Sequence, residues 1–186
     1  MPSPPRPHPV VILLRGVNVG GHRRFRPALL ARELGHLDLV SIGAAGTFVV
    51  RRPVSEAALR AEFARRLPFD TEIMICPGRD VTRLIALDPF AAHVERDDLV
   101  PFVSLLSRVP RPAPSTPLNI PPAGEWLLTV LGREKRFVFG VYRRQMKAIG
   151  CLGSLDRVFG APVTTRNWNT IKAIGRTLEG SGVREA

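Results

Sequence analysis

Cysteine is nearly absent from this chain: Cys76 and Cys151 are the two in 186 residues, with no CxxC pair and no histidine pair beside either. That excludes a disulfide framework and a zinc ribbon or finger, which need several thiols or closely spaced ligands. His8, His22, His36 and His93 are scattered too, so neither a metal nor a cofactor is expected. Long apolar runs are also missing. None approaches the ~18 residues of a membrane helix, and the opening MPSPPRPHP lacks the apolar core of a signal peptide. A cytoplasmic protein with no membrane partner is the expectation. Acids are short as well. Sixteen Asp and Glu stand against 27 Lys and Arg, giving a net charge of +11 and a pI near 11.3. Only Lys135, Lys147 and Lys172 are lysines, so arginine supplies the other 24 of the 27. The excess is spread along the chain, and an evenly basic surface attracts polyanions whatever its fold.

What is present begins with Val10 to Gly21, VVILLRGVNVGG. Five consecutive apolar residues from Val10 to Leu14, bounded by Pro9 and Gly16, predict a central strand buried on both faces. It runs into Arg15 and a turn of Gly16, Asn18, Gly20 and Gly21, residue types that accept positive φ and allow close backbone approach. Bare amides in such a turn beside Arg15 suit an anion. The Gly16 to Gly21 spacing imitates half of a phosphate-binding loop, but His22 and Arg23 occupy the places of its lysine and hydroxyl. A plain glycine turn leaving a sheet is the alternative reading.

Further along, the residues predict strand, helix, strand, strand, helix, strand. Pro27 opens a helix to about Leu34, and Leu39 to Ile42 and Thr47 to Arg51 flank the turn Gly43 to Gly46. Ser55 caps a helix with Leu59, Phe63 and Leu67 on one stripe, and Glu72 to Cys76 is the next strand. The fold class expected is α+β: a ferredoxin-like βαββαβ half with an antiparallel sheet at residues 10–90, after a disordered lead-in at 1–9. Asp80 caps a short third helix, broken at Asp88, Pro89 and Phe90. A second, smaller α+β half then covers 91–182, with Leu99 to Leu106 as a strand that Pro101 places at an edge or starts later. Six prolines between Val109 and Pro122 mark 109–122 as a connector. Trp126 to Leu131 and Arg136 to Tyr142 form a hairpin around Gly132 to Lys135.

Two polar constellations stand out in this second half. Arg133, Lys135, Arg136, Tyr142, Arg143, Arg144 and Lys147 interleave cations with aromatics, as a single-stranded nucleic-acid surface requires. Alternation assigns Phe137 and Phe139 to the sheet core and leaves Tyr142 as the ring for stacking. Near the end, TTRNWNT leads into a helix whose N-cap is Thr165 or Asn167, with Trp168, Ile171, Ile174 and Leu178 inward. Arg166, Asn167 and Asn169 at that helix start form an anion site or an ordinary cap.

LLRGVNVGG at Leu13 to Gly21, the Gly46 turn, the Asp88-Pro89-Phe90 stop and Arg166-Asn167-Trp168-Asn169-Thr170 together resemble the DUF1697 family of uncharacterised bacterial proteins. The resemblance implies a small α+β protein of two related subdomains with no established reaction, and marks the Arg15 turn and the Arg166 helix start as signature positions. Two departures stand out. Ala44, Ala45, Gly46 and Thr47 replace a polar Q-S-G-N-like turn, and Arg144 to Lys147, RQMK, replaces a G-K-S-K-like stretch.

Two partner classes follow. The first is nucleic acid, single-stranded RNA before duplex DNA, held by the basic surface. The alternative is a small-molecule enzyme or binding protein for a phosphorylated or carboxylated ligand, clamped by Arg15 and Arg166 in a cleft between the subdomains. No nucleophile motif, paired carboxylates or general base is identifiable, so catalytic residues stay unassigned and enzyme activity is left open, as is oligomeric state.

Overall fold

The computed structural model describes residues 9–17, 24–92 and 96–180. Residues 1–8 of the expected lead-in at 1–9, together with Asn18, Gly20, Gly21, His22, Arg23 and His93, lie outside the described residues. Two compact units divide the chain: one runs to Arg83 and resumes at Lys172, and the other covers Leu84–Ile171.

The first unit has the element order that the sequence predicts. β1 (Val10–Leu14), α1 (Pro27–Glu33), β2 (Leu39–Ile42), β3 (Thr47–Val50), α2 (Glu56–Arg66) and β4 (Ile73–Pro77) follow in turn. The sheet order is β2-β3-β1-β4, with every neighbouring pair antiparallel. β1 is central because all five of its side chains are apolar and buried, so either pleat face has to be covered. On one face Ile12, Leu14, Phe48 and Ile75 pack with Leu30 and Leu34 of the α1 segment and Leu59 and Phe63 of α2. The Phe48 and Phe63 rings meet edge to face, 5.3 Å between centroids.

Local chemistry sets the helix boundaries. Pro27 sits in the first turn of α1, where its missing N–H costs nothing. The Ser55 hydroxyl accepts the Ala58 N–H at 3.2 Å and starts α2. Arg60, Arg65 and Arg66 on α2 pair with Glu56 and Glu62 one turn away. α3 (Gly78–Ala86) follows β4 directly, so Asp80 lies inside its first turn and does not cap it. At the end of β3, Arg51 donates from Nη2 to the Thr177 carbonyl at 3.2 Å, tying the last turns of the C-terminal helix to this unit.

In the second unit, β5 (Leu99–Leu106), β6 (Leu118–Ile120), β7 (Leu128–Glu134), β8 (Phe137–Arg143) and β9 (Val163–Asn167) form an antiparallel sheet ordered β6-β7-β8-β5-β9. α4 (Met146–Leu152) and α5 (Leu155–Phe159) precede β9, and α6 (Trp168–Glu179) follows it. Phe102, Leu106, Leu128, Val130 and Val138 pack with Leu155 and Phe159 as this unit's core.

Four expectations change here. β5 is an inner strand, yet Pro101 is tolerated, because β9 pairs only from Phe102 onward and leaves residue 101 paired with β8 alone. The proline-rich 109–122 segment is more than a connector, since its Leu118–Ile120 adds a short edge strand to β7. The hairpin turn sits at Lys135 and Arg136, Lys135 with φ 52°, and not around Gly132. Gly132 lies within β7 opposite Phe139, whose ring would contact an added Cβ at 2.8 Å. Finally, Val163–Asn167 is a strand, where the sequence suggested only a lead into the last helix.

Candidate functional site

At the end of β1 the chain turns sharply while held from three sides. The Leu14 N–H donates to the Gly46 carbonyl at 2.8 Å and the Arg15 N–H to the Glu72 carbonyl at 3.1 Å. The Thr71 hydroxyl donates to the Arg15 carbonyl at 2.6 Å. Gly16 then takes a left-handed φ of 61°, which favours glycine. Gly46, φ 69°, is required twice over, because a Cβ there would meet Leu14 Cβ at 2.9 Å and Val17 Cγ2 at 2.7 Å. The structure therefore brings the β1 exit, the Gly43–Gly46 turn and the Thr71–Glu72 approach to β4 to one end of the first sheet. Arg15 projects there with its side chain 40% exposed and Nη1 3.7 Å from Glu72 Oε2. Of the predicted turn, Arg15 and Gly16 are among the described residues; Asn18, Gly20 and Gly21 lie outside them.

Arg166 has a different setting. Its register partner is Val103, on the face of β5 that carries Leu105, and it is 7% exposed. Nη1 donates to the Thr164 hydroxyl at 3.0 Å and to the Thr165 carbonyl at 2.8 Å. Burial pushes this guanidinium down to about 10, which leaves it charged at neutral pH. Asn167 is the N-cap: its Oδ1 accepts the Thr170 N–H at 2.8 Å and the Thr170 hydroxyl at 3.0 Å. Asn169 is exposed two residues on, and the Trp168 ring packs on Phe90 with centroids 5.1 Å apart. Arg15 and Arg166 belong to different units.

The seven residues of the basic stretch are not gathered on one face. Lys135 and Arg136 form the β7–β8 turn, and Arg143 ends β8 seven residues later, roughly 23 Å away at ~3.3 Å per residue. Several have structural engagements. Arg143 stacks on the Trp126 ring, 4.6 Å from its centroid, and donates to the Trp126 carbonyl at 2.9 Å. It also reaches Glu125 at 3.5 Å and Asp98 at 3.8 Å. Arg136 donates to the Leu106 carbonyl, Arg144 to the Asp97 carbonyl and Arg133 to the Lys135 carbonyl. Tyr142, the expected stacking ring, instead tilts onto Phe102 at 6.1 Å and lies against the core. Arg133, Lys135, Arg144 and Lys147 remain exposed.

A family model described as "Protein of unknown function (DUF1697)" matches residues 8–134. The chain belongs to the DUF1697 family. The DUF1697 match contains the whole Arg15, Gly46 and Glu72 end of the first sheet, and it stops short of Arg166–Thr170. The fold is similar to a solved conserved bacterial protein from Streptococcus pneumoniae, with a TM-score of 0.57 at 19% identity over 91% of this chain and 98% of that one. No curated protein matches. No helix in the described part of this DUF1697 chain is long and apolar enough to cross a membrane, and no cluster of metal-ligating side chains occurs among the described residues. Sequence reasoning missed Thr71, whose hydroxyl holds the Arg15 carbonyl. A threonine just ahead of a strand carries no signal of the bond it makes 56 residues away.

Proposed function

We propose that this DUF1697 protein binds a small phosphorylated or carboxylated ligand at the end of β1, with Arg15 as the cation that holds it. The observation that carries this reading is the bracing of Arg15. Its backbone N–H and C=O are both engaged, by Glu72 and Thr71, while its guanidinium stays part-exposed beside the positive-φ Gly16. A cation on a fixed backbone loses little freedom when it takes up an anion, and a planar guanidinium suits two-point contact with phosphate or carboxylate. Arg166, buried and bonded within β9, supports α6 and its strand in this reading. No reaction is assigned to it.

Equilibrium dialysis with inorganic phosphate and with a dicarboxylate tests this. Arg15→Ala is expected to weaken binding roughly tenfold or more, the scale of a charged hydrogen bond, whereas Lys147→Gln leaves it unchanged. Equal binding by the Arg15→Ala protein sinks the reading. Single-stranded RNA is the second reading, favoured by the exposure of Arg133, Lys135, Arg144 and Lys147 on a chain of net charge +11. It predicts an affinity falling steeply with salt, and no RNA binding at low salt removes it.

A further inference from the structure

We propose that the outward face of α4 docks on an anionic lipid bilayer as a peripheral contact. On α4 the positions i, i+3 and i+4 are Met146, Ile149 and Gly150, and all are exposed, as is the C-cap Gly153. Met146 is 84% exposed and Ile149 51%, so two large apolar side chains three residues apart stand in solvent on one helix face. The opposite face is core, with Ala148 fully buried and Cys151 and Leu152 packed against the Phe102 cluster. Exposed Arg144 stands two residues before the helix and exposed Lys147 lies within its first turn, and residues 143–153 contain no acid. Just ahead of β5, Asp98 is held by Arg96 and Arg143, and the exposed Asp97 accepts from Arg144 through its backbone carbonyl.

The shape and charge of this patch select its occupant. A second copy of the chain would set Arg144 and Lys147 against their own like. A protein partner needs about 800 Å² on each side, and a seven-residue helix is only about 10 Å long. Single-stranded RNA wants rings to stack on, and the nearby Tyr142 lies against Phe102. A bilayer surface needs no preformed pocket: a protruding methionine and isoleucine enter the acyl boundary while arginine and lysine meet anionic headgroups. The expectation of no membrane partner came from the lack of a long apolar run, which bears on spanning and not on this kind of contact.

Co-sedimentation with vesicles of phosphatidylserine and phosphatidylcholine, against vesicles of phosphatidylcholine alone, tests the proposal with the full chain. Binding is expected to the anionic vesicles. It falls about tenfold in the paired Met146→Ser, Ile149→Ser variant and about fivefold in Lys147→Gln, whereas Lys172→Gln, at an exposed position of α6, binds as the parent does. All these side chains are exposed, so folding is preserved, which circular dichroism checks. Three results overturn the proposal: no vesicle binding; binding indifferent to Met146 and Ile149, which is adsorption through net charge; or displacement of the protein from vesicles by oligouridylate that it binds through Met146.

Discussion

Gly140 sits in the middle of β8, facing Phe102 on β5 and Val130 on β7. A Cβ at this position would lie 2.1 Å from the Thr129 carbonyl oxygen and 2.9 and 3.0 Å from two atoms of the Phe102 ring. The carbonyl is backbone, so no rotamer change relieves the contact; β7 has to move by about 1 Å at the irregularity between Val130 and Gly132. Overpacking of this kind costs ~1–3 kcal/mol, and the entropy that alanine removes from the unfolded chain returns less than ~1 kcal/mol. The Gly140→Ala protein is therefore expected to lose about 2 kcal/mol, a fall of roughly 4–8 °C in Tm for a chain of this size. Gly150→Ala is the control. Nothing lies within 4 Å of its added Cβ, and alanine inside a helix is worth ~0.5–1 kcal/mol over glycine, so its Tm rises. Thermal unfolding followed by circular dichroism, with urea midpoints alongside, measures both. If Gly140→Ala melts within about 1 °C of the parent, the argument from close approach at the β7–β8 pairing is wrong.

Other substitutions probe the neighbouring chemistry. Asn167→Ala removes the cap of α6 and should cost about 1 kcal/mol in urea unfolding, while Asn169→Ala, at an exposed position, stays within ~0.5 kcal/mol. Arg143→Lys keeps the charge but loses the planar stack on Trp126 and the fork toward Glu125 and Asp98; a loss of ~1 kcal/mol is expected, with a change in Trp126 fluorescence. The Arg96 hydrogen bond and charge hold the Asp98 carboxyl below its ordinary value. A lowered acid favours the folded state above its unfolded pKa, and that benefit is lost as pH falls through the folded value. Asp98→Asn should accordingly show a shallower loss of stability on acidification than the parent, read from Tm against pH.

The first half of the chain was legible because its signals are local and agree with one another. Five apolar residues at Val10–Leu14, a proline at 27, a serine cap at 55 and the Leu59 and Phe63 stripe each determine one element, and their order leaves little freedom in the sheet. The second half hid two strands. Val163–Asn167 reads as polar because Thr164 and Arg166 alternate with Val163 and Thr165, and the burial of an arginine against Val103 is a tertiary fact that no local pattern carries. Leu118–Ile120 is three residues between prolines, below the length at which periodicity speaks. The candidate site shows the same division. Arg15 and its glycine turn stood out by composition, but the bonds from Thr71 and Glu72 that brace them come from 56 and 57 residues away. The basic stretch had the converse fault: neighbours in sequence, its cations lie at opposite ends of a strand, and Arg143 is spent on Trp126.

The return of the chain to its first unit sets an order of events during synthesis. Arg51 reaches for the Thr177 carbonyl, yet Thr177 is 126 residues downstream. At ~5–20 residues per second the ribosome delivers it some 6–25 s after the arginine. After β4 is synthesised the first unit still lacks the helix segment that completes it, so a nascent chain halted between Arg83 and Lys172 holds an unfinished domain. A ribosome stalled just short of Lys172 therefore leaves the first unit, not the second, incomplete.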